Sequence, residues 1–564
     1  MKLKWLSTTV CCATLATASF FPSVSFGQGT KPSAVQAASS DTDEEDTSVV
    51  SVAMNSLDAL VPSIQHLMRT AGAGPVAGTV TTVLNQYSAG LDRTRPFGVF
   101  LELDESGQPA PIGCLPVSDL TAFFDQLSVF GEATDLGNGL YEFAIGNTIY
   151  AKKVGEWLYV AQSEDALEDV EGYGESLKKL LKNYDVRVQV NPQNIPEEMV
   201  DFFMQQIQAG YEQSMAAQRG NMDDEEAAAA EAASEQMINQ IQEAIEGTES
   251  MLMGLMVNKA EKKTILDFGS KFVSDSKYAK QMAKAKASKA ALQGVAQDGS
   301  MLNLLSVQLI EPEDLAQTEK LIASAIKAAA KEIDQKTPDA ASAAKVKDYV
   351  NRLVEIVMES AKQGKVESSV DVSVEGPLSI VAGLSVADGA KIEKLASDIS
   401  KELVAGNVPA KLDIATGKHA GVNLHKLTVS LPPDADDKVR KIFGDNVTAA
   451  IGTSAKSIYV AVGKNCDATL KSAIDRVAAK PSAPAEMVKM RLTLSQLLGF
   501  IQSVESNPIV EAMSNAATSG NDRIMMDSQI VDRGAVFRLT LEDGVLKAIS
   551  AGVKAGGPGA GGGF

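Results

Sequence analysis

The sequence predicts an α+β protein made of two tandem, similar units, each a largely antiparallel sheet covered by helices, with a long acidic helical arm in the first. Two observations carry this. The order of strand-like and helix-like patterns can be read twice, over residues 49–295 and again over 300–555. Each reading also has more strands than a helix bundle tolerates, and neither shows the regular alternation of strand and helix that builds a parallel sheet.

Taken in order, Ser51-Val52-Ala53 reads as a short strand before helical patterns at 56–70 and 76–92, and Ser306-Val307-Gln308 precedes helical patterns at 312–334 and 339–363. Thr337 and Pro338 supply N-cap and first-turn signals, and Gly364 a stop. The next strand is Gly98 to Leu103 in the first copy and Ser379 to Val386 in the second, leading into helices at 117–130 and 388–405. A meander follows in both: Leu140 to Ile145, Thr148 to Lys152 and Trp157 to Gln162, against Val422 to Leu431, Val447 to Gly452 and Ile458 to Val462. The closest local match is Leu158-Tyr159-Val160-Ala161 with Ile458-Tyr459-Val460-Ala461, each leading into a helix.

Beyond that helix, Val186 to Val190 matches Met490 to Leu494, an alternating strand with an Arg expected to point outward. Each copy closes with a hairpin and a helix. These are Met251 to Val257 with Thr264 to Phe268 and a helix at 275–292, then Ile524 to Val531 with Ala535 to Leu541 and a helix at 543–553. Val366, Ser368, Val370, Val372 and Val374 add an alternating strand with no partner in the first copy. The two units are expected to pack or hinge about residues 294–300, and the tail 556–564 is too Gly-rich to order.

The chain has 564 residues and a formal charge of −20, with 45% hydrophobic and 22% charged residues, so it is long enough for two cores and is not a generally disordered chain. Its acidic balance excludes an electrostatic nucleic-acid binder, which needs clustered Lys and Arg. Lys2 and Lys4, the apolar stretch from Trp5 to Val24, and Ser25 and Gly27 before Gln28 read as a signal peptide over 1–27. The protein is therefore expected to be exported, to the periplasm or the cell surface, with membrane contact only through that segment if it stays uncleaved. Residues 28–48, with the run Asp41-Thr42-Asp43-Glu44-Glu45-Asp46, read as a flexible acidic leader; Asp46 stands where a calcium loop needs its turn glycine.

Export permits a disulfide between Cys114 and Cys466, with separate buried thiols as the competing reading. His66, His419 and His425 form no H-E-x-x-H pattern, and a G-x-S-x-G elbow is absent. Gly294 to Ser300 has P-loop-like glycine spacing with Ser300 where lysine must reach phosphate. Gly72, Gly74 and Ala77 fit the dinucleotide spacing but follow a helix and are interrupted by Pro75. Met251, Met253 and Met256 form a thioether cluster of a kind that suits Cu(I), though with Leu252, Leu255 and Val257 between them they read as a buried core strand. No catalytic residue, metal ligand or cofactor site is assigned.

The helix after Pro196 is more informative. Met199, Phe203, Ile207, Tyr211 and Met215 recur every four residues, and Met237, Ile238, Ile241 and Ile245 resume the stripe, with Gly220-Asn221 as the bend. This arm, 195–248, carries Asp223, Asp224, Glu225, Glu226 and Glu231 as a candidate interaction segment; from Ile195 to Ser250 its net charge is −12. The segment from Met251 to Ser300 has a net charge of +5, with Lys277, Lys280 and Lys284 on one helical face as a candidate counterpart.

Phe97 to Leu101, Leu115-Pro116-Val117-Ser118-Asp119 with Phe123-Phe124, and Gly139-Leu140-Tyr141 through Ala161 give the first copy a layout that resembles an uncharacterised group of exported bacterial proteins of the planctomycete type. The resemblance implies an α+β fold and export, and no activity. The sequence thus predicts a non-enzymatic envelope or surface interaction module that meets an unknown envelope protein. The second reading is a periplasmic carrier of an apolar ligand or lipid between sheet and amphipathic helices, and the third a hydrolase with an unidentified carboxylate site.

Overall fold

A computed structural model describes residues 47–556 apart from positions 105, 130, 146, 219–223, 337–338, 406–408, 481–482, 485 and 518–519. The signal segment, most of the leader and the glycine tail after Gly556 lie outside the described residues. Within them the chain is α+β, with fifteen helices and twenty strands besides a two-residue pair at Lys289–Ala290 and Ala483–Pro484. Two compact units divide it, one over 31–283 together with Ile530–Phe537, the other over 284–529 and 538–564.

The N-terminal unit runs β1 (Val50–Met54), α1 (Leu57–Thr70), α2 (Gly74–Gln86), β2 (Phe97–Leu103), β3 (Pro109–Pro116), α3 (Leu120–Leu127), β4 (Ala133–Gly137), β5 (Leu140–Ile145), β6 (Asn147–Val154) and β7 (Trp157–Ala161). It continues with α4 (Tyr173–Leu181), β8 (Val186–Val190), α5 (Glu197–Gln218), α6 (Asp224–Gly247), β9 (Thr248–Asn258), β10 (Lys263–Phe272) and α7 (Lys277–Ala287). Its strands pair antiparallel in the order β10-β9-β8-β1-β2-β3-β7-β6-β5-β4. Helix α4 lies on one face, where Leu177, Leu180 and Leu181 pack with Ala53, Phe100, Ile112, Cys114 and Tyr159. Gly98 permits this approach, since a Cβ there would strike the Val52 carbonyl and the Leu177 side chain.

The C-terminal unit runs β11 (Leu302–Leu309), α8 (Pro312–Lys336), α9 (Ala340–Ala361), β12 (Lys365–Ser373), β13 (Ser379–Ser385), α10 (Gly389–Ala405), β14 (Ala410–His419), β15 (Val422–Ser430), α11 (Asp437–Phe443), β16 (Asn446–Thr453) and β17 (Ser457–Val462). It ends with α12 (Cys466–Ala479), β18 (Val488–Thr493), α13 (Leu494–Val504), α14 (Pro508–Ala516), β19 (Arg523–Val531), β20 (Gly534–Glu542) and α15 (Asp543–Ala555). Side-chain caps start several helices: Asp119 for α3, Asp339 for α9 and Asn507, just before Pro508, for α14. The strand order is β19-β18-β11-β12-β13-β17-β16-β15-β14, again antiparallel. Its core gathers Leu292, Val295, Val381, Tyr459, Ala461, Leu470 and Ile474.

Four expectations change. The strand at Val366–Ser373 has a counterpart by position, β2, while the strand absent from the sequence reading is β3, which carries Pro109, Pro111 and Pro116. The unit boundary falls at 283/284, ahead of the expected 294–300. Residues 284–295 belong with the second core because Glu367 accepts the Ala291 and Leu292 amides and Arg476 donates to the carbonyls of Gly294 and Val295. The leader ends before Ser48, which is fully buried, hydrogen-bonds Ser51 and offers its carbonyl to Asn191 and Asn194. Arg187, expected to point outward, is only 5% exposed.

Residues Ile530–Phe537, the turn from β19 into β20, close the N-terminal unit. Arg533, at φ 52°, donates to Glu249 at 2.5 Å, to the Phe272 carbonyl at 3.1 Å and to Ser274, and its own carbonyl accepts the Phe272 amide. Gly534 is needed beside it, because a Cβ there would meet the Ser270 carbonyl.

Candidate functional site

The helix-covered face of the N-terminal sheet mixes its apolar core with buried polar groups. On this face lie Ser51, Arg187, Gln189 and Asp267, all buried. Arg187 donates to the Leu180 carbonyl at 2.9 Å and to Gln189, which donates to Asn191; Tyr184 donates to Asp267 at 2.9 Å. Burial holds the Arg187 guanidinium below its ordinary pKa, with no carboxylate against it.

The opposite face is apolar and partly exposed. Its central cross-strand row is Phe268, Met253, Val188, Val52 and Val99, fixed by the registers of β10, β9, β8, β1 and β2. A neighbouring row holds Met251, Val190, Val50 and Leu101, and another Leu266, Leu255, Val186, Met54 and Phe97. None of these side chains ionises, and Met251, Met253 and Val99 are 48%, 51% and 38% exposed. Adjacent residues of β8 and β9 show why: strand period two sends alternate side chains to opposite faces, and α4 covers only one.

The C-terminal unit also has a partly exposed apolar row and buried polar groups on its other face. Met526, Met490, Leu304, Val370, Ala382 and Val460 form a half-buried apolar row. The other face buries Asp527, Glu367, Ser369 and Asp371. Asp371 accepts from the Gln297 amide, Ser300 and Asn303, and burial raises its pKa above the usual carboxylate value.

The residues singled out in the sequence are dispersed. Cys114 and Cys466 are buried free thiols, each within its own core cluster, and burial pushes the Cys114 thiol up to about 12. His419 meets Asp475 at 2.7 Å on the surface. His425 is buried, its Nδ1 accepting the Ala415 amide at 3.1 Å and its Nε2 donating to Thr453, which donates to Glu393. The amide of Gln297 in the P-loop-like segment is taken by Asp371, and Gly72 lies in the α1–α2 turn while Gly74 opens α2.

Met251 and Met253 share a face while Met256 lies on the other. The buried-core reading of this strand is corrected, because the pair stands on the uncovered side. Of the acidic segment, Asp223 lies outside the described residues, Asp224, Glu225 and Glu226 open α6, and Glu231 is exposed. Lys284 pairs with Glu311 at 2.8 Å, not with the arm.

Among the described residues no cluster of His, Cys, Asp and Glu suits a metal ion, and no helix is long and apolar enough to cross a membrane. Compared with known protein families, characterised proteins and solved structures, the chain has no match.

Proposed function

We propose that the protein is an exported, non-enzymatic binding protein that holds an unbranched hydrocarbon chain against its open sheet faces. The row Phe268, Met253, Val188, Val52 and Val99 carries this reading: it offers no hydrogen-bond partner, and soluble proteins seldom leave so continuous an apolar surface without a use. Aliphatic and thioether side chains dominate it, which suits a flexible acyl chain better than a flat ring system that would call for aromatic stacking. Export rests on the N-terminal Lys2, Lys4 and apolar stretch, in keeping with the resemblance to exported planctomycete-type proteins.

The two units are read here as a tandem duplication, supported by the strand orders: adding ten to each label of β9-β8-β1-β2-β3-β7-β6-β5-β4 gives the order of the second unit. Two apolar faces, one per unit, then follow from one ancestral face.

A second reading, an interaction module for a basic envelope partner, is favoured by α5, where Phe202, Phe203 and Ile207 are all exposed within the acidic segment 195–248. Solvent extraction and mass spectrometry of the purified mature chain should recover acyl lipid, and Val188→Asp should abolish recovery without unfolding the protein. No recovered lipid, together with no binding of oleate, would overturn the carrier reading. Salt-dependent association lost on deleting 223–233 would support the module instead.

A further inference from the structure

Met251 and Met253 alternate on β9, so both thioethers stand on the open face, beside Val190 and Val188 on one side and Ser270 and Phe268 on the other. They are about half exposed, whereas Met204, Met282, Met301, Met358 and Met525 are buried. Oxidation of methionine follows access of the oxidant to sulfur, and an exported protein meets oxidants that the cytosol removes. We propose that Met251 and Met253 are a peroxide-sensitive pair whose conversion to sulfoxides clears hydrocarbon from the apolar face.

In each step the sulfur lone pair attacks one peroxide oxygen, the O–O bond breaks, an S–O bond forms, and the remaining oxygen leaves as water after proton transfer. The thioether loses two electrons and the peroxide gains them. Of the four cross-strand neighbours only Ser270 carries a side-chain donor, so covering a sulfoxide oxygen with hydrocarbon strips hydration that Val188, Val190 and Phe268 do not replace. The step is reversible, because sulfoxide reductases return the thioether. This inference rests on the hydrocarbon-binding reading for its consequence but not for the modification. Met237, on α6, is comparably exposed and away from the sheet, and so serves as an internal control.

The full mature chain is treated with hydrogen peroxide, mapped by peptide mass spectrometry and titrated with oleate, alongside the M251L/M253L and M237L variants. Met251 and Met253 should gain oxygen well before Met525, and oleate affinity should fall about tenfold or more. M251L/M253L should bind oleate equally before and after peroxide, while M237L should lose affinity like the parent. Oxidation of the pair no faster than Met525 overturns the proposal, as does undiminished oleate binding by a chain whose two sulfoxides are confirmed. Failure of the untreated chain to bind oleate overturns the ligand reading and, with it, the clearing step.

Discussion

Arg187 and Val188 are neighbours in β8, and it is the charged residue that is buried and the aliphatic one that faces outward. Arg187 is retained there by the Leu180 carbonyl and Gln189, so it fastens α4 to the strand beneath it.

Removing that fastening should be costly. Arg187→Ala leaves a buried carbonyl and amide without their donor and is expected to lower stability by about 2–4 kcal/mol, read as a shift in urea midpoint. Arg187→Met refills the space without a buried charge and should cost less. Equal losses from the two would mean that packing alone matters at this position.

Stability should fall as the medium is acidified from about pH 7 to pH 5, in part through His425. Burial lowers its pKa in the folded chain below the ordinary value of 6.5. The unfolded state then binds the proton more readily, so the neutral ring's contribution is complete above the ordinary value and is lost as pH drops through it. Protonation also removes the Nδ1 acceptor from the Ala415 amide. His425→Gln should flatten this part of the pH dependence of urea unfolding; a slope unchanged from the parent would assign it elsewhere.

Gly98→Val should be among the most damaging single changes in the first unit. The new side chain collides with the Val52 carbonyl and with Leu177, prising α4 from the sheet. A loss of about 3 kcal/mol or more, with early loss of near-ultraviolet dichroism on heating, is expected.

Neither Cys114 nor Cys466 should react with a thiol reagent in the folded protein at pH 8. Both are buried, and the Cys114 thiol stays protonated because burial holds its pKa near 12. Both should label promptly in urea without prior reduction. Absence of label in unreduced, unfolded chain would indicate a bond between them.

Strand alternation made much of the architecture readable from sequence, because Val50, Val52 and Met54 or Val186, Val188 and Val190 declare their period plainly. Prolines hid β3, since Pro109, Pro111 and Pro116 look like punctuation when their unpaired nitrogens are not yet placed on a ladder. The apolar face was harder still. Alternation shows that a strand has two kinds of side, but which side a helix covers depends on Leu177, Leu180 and Leu181, far along the chain. A Met-Leu-Met-Gly-Leu-Met run suggests a core, and the helix needed to make it one is on the other side.

The Arg533 turn has a consequence for biosynthesis. Glu249, Ser274 and the edge of β10 acquire their final partners only when a segment made after nearly the whole second unit has emerged. A chain synthesised N-terminus first therefore holds an unfinished first unit until that segment is made, and a truncation ending at 283 would leave the unit short of its closing piece.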